Sequence, residues 1–307
     1  MNTDKLHTPS AHKQWNESFY FNWFDKKQKI CCFTRIGLTP NTDQKNMFLF
    51  FMLPNGKKLG IRKNTPLKTL PENDKLLLTV NDLQFINKTN ELEWNLQYNG
   101  SVLDPYQPKN PPVNLQFDLD FSGLHSIFNY RDCPLSKIQK DLSKNVASEH
   151  LEQFGKITGT LTVADNTYKI TALGERDHSW GVRNWTAPKR WVWLTCQFND
   201  EFAFNITKLT VAQGDIDAGF IYINGENHPI KNVTIDTAYS KHHEPLLFNL
   251  KMTTISDKSF NVKASVMDKI HVPFENGKTK SMMYENLAKY TYQNTTGYGI
   301  AEYLIKQ

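Results

Sequence analysis

Apolar residues in this chain recur mainly at every second position, the period of a half-buried β-strand. In Phe202, Phe204 and Ile206 the apolar side chains share one face, while Asn205 and Thr207 share the other. Strand-like runs rich in aromatic and β-branched residues cover Met47 to Leu53, Leu76 to Val80, Val113 to Phe121, Trp191 to Phe198 and Phe220 to Ile223. Between such runs stand Asn-Gly pairs at 55–56, 99–100, 224–225 and 276–277, each a signal for a tight hairpin because both residues tolerate positive φ. One segment has helical spacing: Leu135, Ile138, Leu142 and Val146 follow Pro134 with Lys and Asp between, and predict an amphipathic helix ending near His150. The stretch from Asp104 to Pro112 is polar and proline-rich and reads as a loop.

Many short antiparallel strands joined by hairpins imply sandwiches or closed barrels. A barrel of about eight strands holds one small ligand. With 307 residues the chain exceeds one ordinary core, and the simplest division is two β-domains, residues 1–149 and 150–307, with the helix near the junction.

Composition removes several function classes. The net charge is +5, but Lys is mixed with Asp and Glu throughout, and no basic block of the kind nucleic acid demands is present. No apolar run reaches the length of a membrane span, so no integral membrane segment is expected, only transient contact with a membrane surface. The polar start, Met1 to His7, lacks the apolar core of a secretory signal. A cytoplasmic location follows as the expectation, with Cys31, Cys32, Cys133 and Cys196 as reduced thiols. No C-x-x-C pair, G-x-S-x-G elbow, P-loop or G-x-G-x-x-G fingerprint occurs, and no metal or cofactor is expected. His242-His243-Glu244 resembles a metal site only superficially, because adjacent side chains on a strand point apart; it reads as a solvated turn before Pro245. His125 and His271 read as hydrogen-bonded strand residues.

The chemistry concentrates between Gly174 and Trp185, where Glu175, Arg176, Asp177 and His178 stand in a row between Gly and Trp. In Tyr168-Lys169-Ile170-Thr171-Ala172 the even positions are apolar. If the strand continues without a bulge, Arg176, His178 and Trp180 face inward, and Glu175, Asp177 and Ser179 face the other way. An Arg and a His inside an apolar barrel are costly unless paired. Two readings stay open: a polar spot in a ligand pocket, with His178 moving a proton and Arg176 anchoring an oxygen-bearing head, or a buried pair that ties strands together. Glu17, among Trp15, Phe19 and Tyr20, is either a solvated charge or a carboxyl whose apolar surroundings raise its pKa into the range of a general acid.

Gly174 to Trp185 resembles the G-x-R-D-H-S-W-G-x-R-D-W signature of the carotenoid 1,2-hydratase and AttH-like superfamily. His150-Leu151-Glu152-Gln153 with Gly155 to Gly159 resembles its H-Y-E-Q-x-G-x-x-x-G entry to the second domain. Gly297 to Tyr303 resembles its G-x-G-x-x-E closing strand, and Trp15 to Phe21 its opening strand. The likeness covers most of 150–307 and scattered parts of the first half. Asn184 stands where the pattern has Asp, and Leu151 where it has Tyr. If that Asp orients the His in relatives, Asn184 weakens the proton-transfer reading.

The resemblance implies a mostly β protein of two lipocalin-like antiparallel β-barrels and a hydrophobic small molecule or lipid as partner. The superfamily's activities include hydration of an isoprenoid double bond and cyclisations. The expected function is therefore a cofactor-independent hydratase, dehydratase or cyclase, with a non-catalytic carrier of a hydrophobic ligand as the alternative. In the enzyme reading His178 carries the proton, backed by Asp177, with Arg176 orienting the substrate. Trp180, Trp191, Trp193 and Glu17 contact the substrate, the tryptophans by cation–π attraction.

Overall fold

The computed structural model describes residues 3–72, 76–143, 149–183, 188–211, 214–276 and 279–306. Most of it is strand, with one short α-helix. The elements of the first half are β1 (Trp15–Asp25), β2 (Ile30–Thr39), β3 (Gln44–Met52), β4 (Lys58–Pro66), β5 (Leu77–Val80), β6 (Leu83–Thr89), β7 (Glu93–Val102), β8 (Val113–Gly123), the two-residue β9 (Phe128–Asn129) and the helix α1 (Lys137–Ser143). There follow β10 (Glu149–Val163), β11 (Asn166–Val182), β12 (Arg190–Gln197), β13 (Phe202–Val211), β14 (Gly214–Ile223), β15 (Glu226–Tyr239), β16 (Pro245–Thr254), β17 (Ser259–Asn276), β18 (Thr279–Tyr292) and β19 (Thr295–Lys306).

The chain forms two compact units, Met1–Ile127 with His150–Arg183, and Phe128–Glu149 with Asn184–Gln307. In the first unit the strands run β4-β3-β2-β1-β11-β10-β8-β7-β6-β5 across one antiparallel sheet. This sheet is nearly closed: the Gly60 N–H donates to the Leu103 carbonyl at 2.7 Å, and the Leu103 N–H returns a bond at 2.9 Å. In the second unit β12 to β19 close into an eight-stranded barrel.

The division expected at residue 150 is corrected by this pairing. β10 and β11 insert between β1 and β8 of the first sheet. The Arg-Asp-His-Ser-Trp-Gly segment therefore belongs to the first unit. The reason is a backbone one: β1 pairs with β2 and β8 with β7 on one side, and the other edge of each finds its partner only in strands that follow the helix.

Alternation builds both cores. Along β8, Leu115, Phe117, Leu119 and Phe121 are buried, while Gln116, Asp118, Asp120 and Ser122 between them are exposed. Inside the first unit Phe21 packs edge-on against Phe85 and Phe121, with ring centroids 5.0 and 5.6 Å apart. The second core gathers Phe204, Phe248, Tyr290 and Tyr303. Each such ring contributes roughly 1.5–3 kcal/mol by leaving water.

The predicted strands fall within β3, β5, β8, β12 and β14, to within a residue or so at their ends. Asn224 and Gly225, with φ of 48° and 92°, make the tight turn joining β14 to β15, and Asn55-Gly56 lies in the β3–β4 connection. Asn99-Gly100 is a correction: it lies inside β7, opposite Gln116 and Leu115 of β8, because a continuous ladder outweighs a local turn preference. Gly277 of the fourth pair lies outside the described residues. The helix is also shorter than its periodicity suggests. α1 ends at Ser143, and β10 has begun by Glu149. Ile138, expected on its apolar face, is 71% exposed, and Val146 lies outside the described residues.

The Gly-rich end does close a barrel. β19 pairs with β12 and β18, and a Cβ at Gly299 would stand 2.0 Å from the Thr195 carbonyl oxygen, so the strand crosses there only with a bare α-carbon. All four cysteines are free and buried. Among the described residues, no helix is long and apolar enough to cross a membrane.

Candidate functional site

β1 and β11 pair without a register shift, so no bulge at Gly174 disturbs the alternation. Glu17 lies opposite Trp180, Phe19 opposite His178 and Phe21 opposite Arg176. Residues directly opposite in an antiparallel pair share a face. Because Phe19 and Phe21 belong to the first core, Arg176, His178 and Trp180 face inward as their period predicts.

The surroundings of His178 differ from the expected apolar hollow. Phe19 stacks on the ring at 4.0 Å. Nδ1 donates to the Thr3 carbonyl at 2.9 Å, and Nε2 lies 2.9 Å from Glu17 Oε1. With no exposed surface, the ring is held on both nitrogens, on Nε2 by Glu17 and on Nδ1 by the Thr3 to His7 segment, which sequence reasoning missed. No local signal in that polar stretch announces its return to the barrel.

Glu17 is correspondingly not a solvated charge. It is buried, with His7 Nδ1 at 2.7 Å from Oε1 and the His7 N–H donating to both carboxylate oxygens. Burial alone raises its pKa, but the bonds from His178 and His7 outweigh that and hold the carboxyl below the usual glutamate value. The idea of a raised general acid at this position is therefore corrected. Arg176 is paired as a buried Arg must be. It donates to Asp4 Oδ1 at 2.7 Å and to Gln153 Oε1 at 2.8 Å, and lies 5.8 Å from the Trp94 ring centroid.

Asp177 does not back His178. One residue along a strand reverses the side chain, so Asp177 meets a different imidazole, that of His150, at 2.8 Å. Ser179 Oγ donates to it at 3.0 Å. Burial raises the Asp177 pKa, but the His150 and Arg183 charges and the Ser179 bond more than offset this and lower it. Arg183 donates to His150 Nε2 at 3.2 Å and also to Ser179 Oγ. The outer face of β11 thus carries a complete charge network of its own. Asn184 and Trp185, the end of the signature, lie outside the described residues.

Trp191 and Trp193 belong to the second unit, not to the body that holds His178. On β12 the core residues are Val192, Leu194 and Cys196; the two tryptophans alternate with them and lie on the outer face, buried. Across that face Trp193 is opposite Glu302, and Glu302 is opposite Glu285. Burial, then the charge of Glu302 and a hydrogen bond to it, push the Glu285 carboxyl well above the ordinary range. Glu285 Oε2 is buried without a hydrogen-bond partner among the described residues. Met283, Leu287, Ile300 and Leu304 on the same face are buried too. A local signal for this pair exists: Glu285 and Glu302 are equidistant from the turn at Gln293-Asn294.

Of the remaining histidines, His125 is hydrogen-bonded as expected but lies in the bend between β8 and β9 rather than in a strand, while His271 is in β17 with Nε2 3.4 Å from Glu244 Oε1. His125 Nδ1 donates to the Ser126 carbonyl at 2.6 Å, Nε2 accepts from the Phe154 N–H at 2.8 Å, and burial lowers its pKa to about 4. His242 and His243 are exposed in a turn, and Glu244 pairs instead with Lys269 at 2.5 Å.

Solved structures that share the fold include the following three. A Nitrosomonas europaea protein described as a candidate AttH is 11% identical, covers 99% of this chain and 98% of its own, and superposes with a TM-score of 0.66. CghA is 8% identical, with 98% and 93% covered and a TM-score of 0.62. CghA crystallised with Sch210972 is 9% identical, with 98% and 94% covered and a TM-score of 0.61. These likenesses carry the fold alone. No curated protein matches. A family model described as a domain of unknown function, DUF7064, matches residues 1–307 from end to end, and the chain belongs to that family.

Proposed function

We propose that this protein is a cofactor-independent hydratase, dehydratase or cyclase that protonates a hydrophobic, isoprenoid-like small molecule. The observation that carries the reading is the pair of buried Glu285 and half-buried Glu302, with Trp193 next in the same cross-strand row. Two carboxyls directly opposite on neighbouring strands favour one shared proton, and burial with the Glu302 charge holds Glu285 protonated well above the ordinary glutamate range. The scaffold adds support, since CghA of the same fold has been crystallised with Sch210972.

In this reading Glu285 gives its proton to an alkene carbon. Both carboxyls are then ionised, and the positive charge of the carbocation formed on the substrate offsets the added negative charge. Trp191 and Trp193 stabilise the cation, by about 1–2 kcal/mol each where water is excluded. Water then adds and its proton returns to the carboxylate, which completes hydration. Alternatively a second double bond adds and a neighbouring C–H proton returns, which completes cyclisation. His178, Arg176 and Asp177, whose polar contacts are already with protein groups, are assigned to holding residues 3–7 and the β11 strand in place.

The test is Glu285→Gln, which keeps the shape and removes the transferable proton. Purified protein is incubated with a panel of acyclic isoprenoid alcohols and polyenes, and products are read by chromatography and mass spectrometry. Wild type is expected to give hydrated or isomeric products, and the variant none, with an unchanged circular dichroism spectrum. Conversion that persists in the variant overturns the acid assignment. A wild type that returns every compound unaltered overturns the enzyme reading in favour of a carrier.

A further inference from the structure

We infer that His7, Glu17 and His178 form a binding site for one divalent transition-metal ion of the zinc class. The inference rests on the first unit alone and is independent of the Glu285–Glu302 reading. The three side chains offer His7 Nδ1, Glu17 Oε1 and His178 Nε2, all within 4.8 Å of one another. Two imidazole nitrogens and one carboxylate oxygen are the donor set of open zinc sites, which use three protein ligands and leave the fourth position free.

The arrangement is built rather than incidental. Both ligand rings are clamped by aromatic stacking, His7 on Trp180 at 3.6 Å and 8°, and His178 on Phe19 at 4.0 Å and 16°. His178 Nδ1 donates to the Thr3 carbonyl, which can only accept, so that nitrogen holds its hydrogen and the lone pair of Nε2 is aimed at the site. A second-layer carbonyl of this kind is what usually orients a metal-bound imidazole. The charge is suitable as well, because Arg176 is balanced by Asp4 and the Glu17 carboxylate is left for the cation.

Ligand atoms around a tetrahedral zinc stand about 3.3 Å apart, given bonds near 2.0–2.1 Å. The separations from Glu17 Oε1 here are 2.7 and 2.9 Å, so the cluster opens by roughly half an ångström to admit the ion. His7, 31% exposed, supplies both the freedom to move and the way in. The second such group, His150, Glu152 and Asp177, lacks this character: Arg183 donates to His150 Nε2, so the Nδ1 that faces Asp177 at 2.8 Å carries the ring hydrogen and offers no lone pair.

The full-length protein is stripped with a chelator and dialysed to equilibrium against zinc chloride, and bound metal is measured. One zinc per chain is expected, with affinity at least about tenfold weaker in both His7→Gln and Glu17→Gln and unchanged in the His242→Gln/His243→Gln control. Zinc should also slow tryptic cleavage after Lys5 in wild type and not in His7→Gln. If Glu17→Gln fails to fold, His7→Gln still decides, since its ring lies at the partly exposed end. No stoichiometric zinc, zinc held equally by His7→Gln, or zinc lost only in the control would each overturn the site.

Discussion

Replacing Asp4 with Ala tests whether residues 3–7 belong to the first barrel as firmly as the contacts imply. Asp4 is buried and accepts bonds from the Arg176 guanidinium at 2.7 Å, the Glu91 N–H at 2.6 Å and the Asn87 amide at 3.2 Å. Truncation leaves the Arg176 guanidinium, itself 2% exposed, next to the neutral Gln153 amide. Breaking one side of a buried ion pair costs about 3–5 kcal/mol, chiefly through the stranded charge. Against a total stability of about 5–15 kcal/mol this is a large share. With a urea slope of roughly 2 kcal/mol per molar, the midpoint of unfolding should fall by about 2 M. Tryptophan fluorescence in a urea titration reads it directly, since Trp94 lies against Arg176. The double variant Asp4→Leu/Arg176→Met should recover most of the loss, because two apolar residues replace a buried pair at little cost. A loss below about 1 kcal/mol in Asp4→Ala would refute the docking of this segment and the energetic reasoning built on it.

Two further outcomes follow from buried titratable groups. The His125 imidazole is held neutral with a pKa of about 4, whereas the unfolded chain takes up that proton near pH 6.5. Its contribution to stability is therefore complete above pH 6.5 and lost as the pH falls toward 4. His125→Gln should flatten the acid limb by up to about 1.4 kcal/mol per pH unit, about 3 kcal/mol in all, in urea titrations at pH 7, 6 and 5; parallel limbs in variant and wild type would contradict this. Burial pushes the Cys133 thiol up to about 12, and Cys32 is raised as well. A thiol-specific chromogenic reagent at pH 8 should therefore find no fast-reacting thiol in the native protein and all four in denaturant; a rapid native reaction would show that a cysteine is reachable.

Much of the architecture is written locally. Alternation along Val113 to Phe121 is enough to assign β8 and its buried face, and Asn224-Gly225 is enough to place a hairpin. The same period, carried from Tyr168 to Trp180, correctly turns Arg176 and His178 inward, because β11 runs without a bulge. Propensity misleads where neighbours overrule it. Asn99-Gly100 is drawn into the β7–β8 ladder, and the helical spacing after Pro134 yields to β10 by residue 149.

The sequence alone therefore determined strands, faces and turns, since these depend on residues two to four apart. Tertiary structure decided which strands pair and which charges meet. The insertion of β10 and β11 between β1 and β8 places Glu17 beside His178, 161 residues away in sequence. The same folding sends Asp177 to His150 rather than to its neighbour. Nothing local marks residues 3–7 as the third side of that cluster. A buried charge takes its partner from whatever the backbone brings within hydrogen-bonding reach, and hydrogen-bonded pairing between distant strands is settled only when the whole sheet closes.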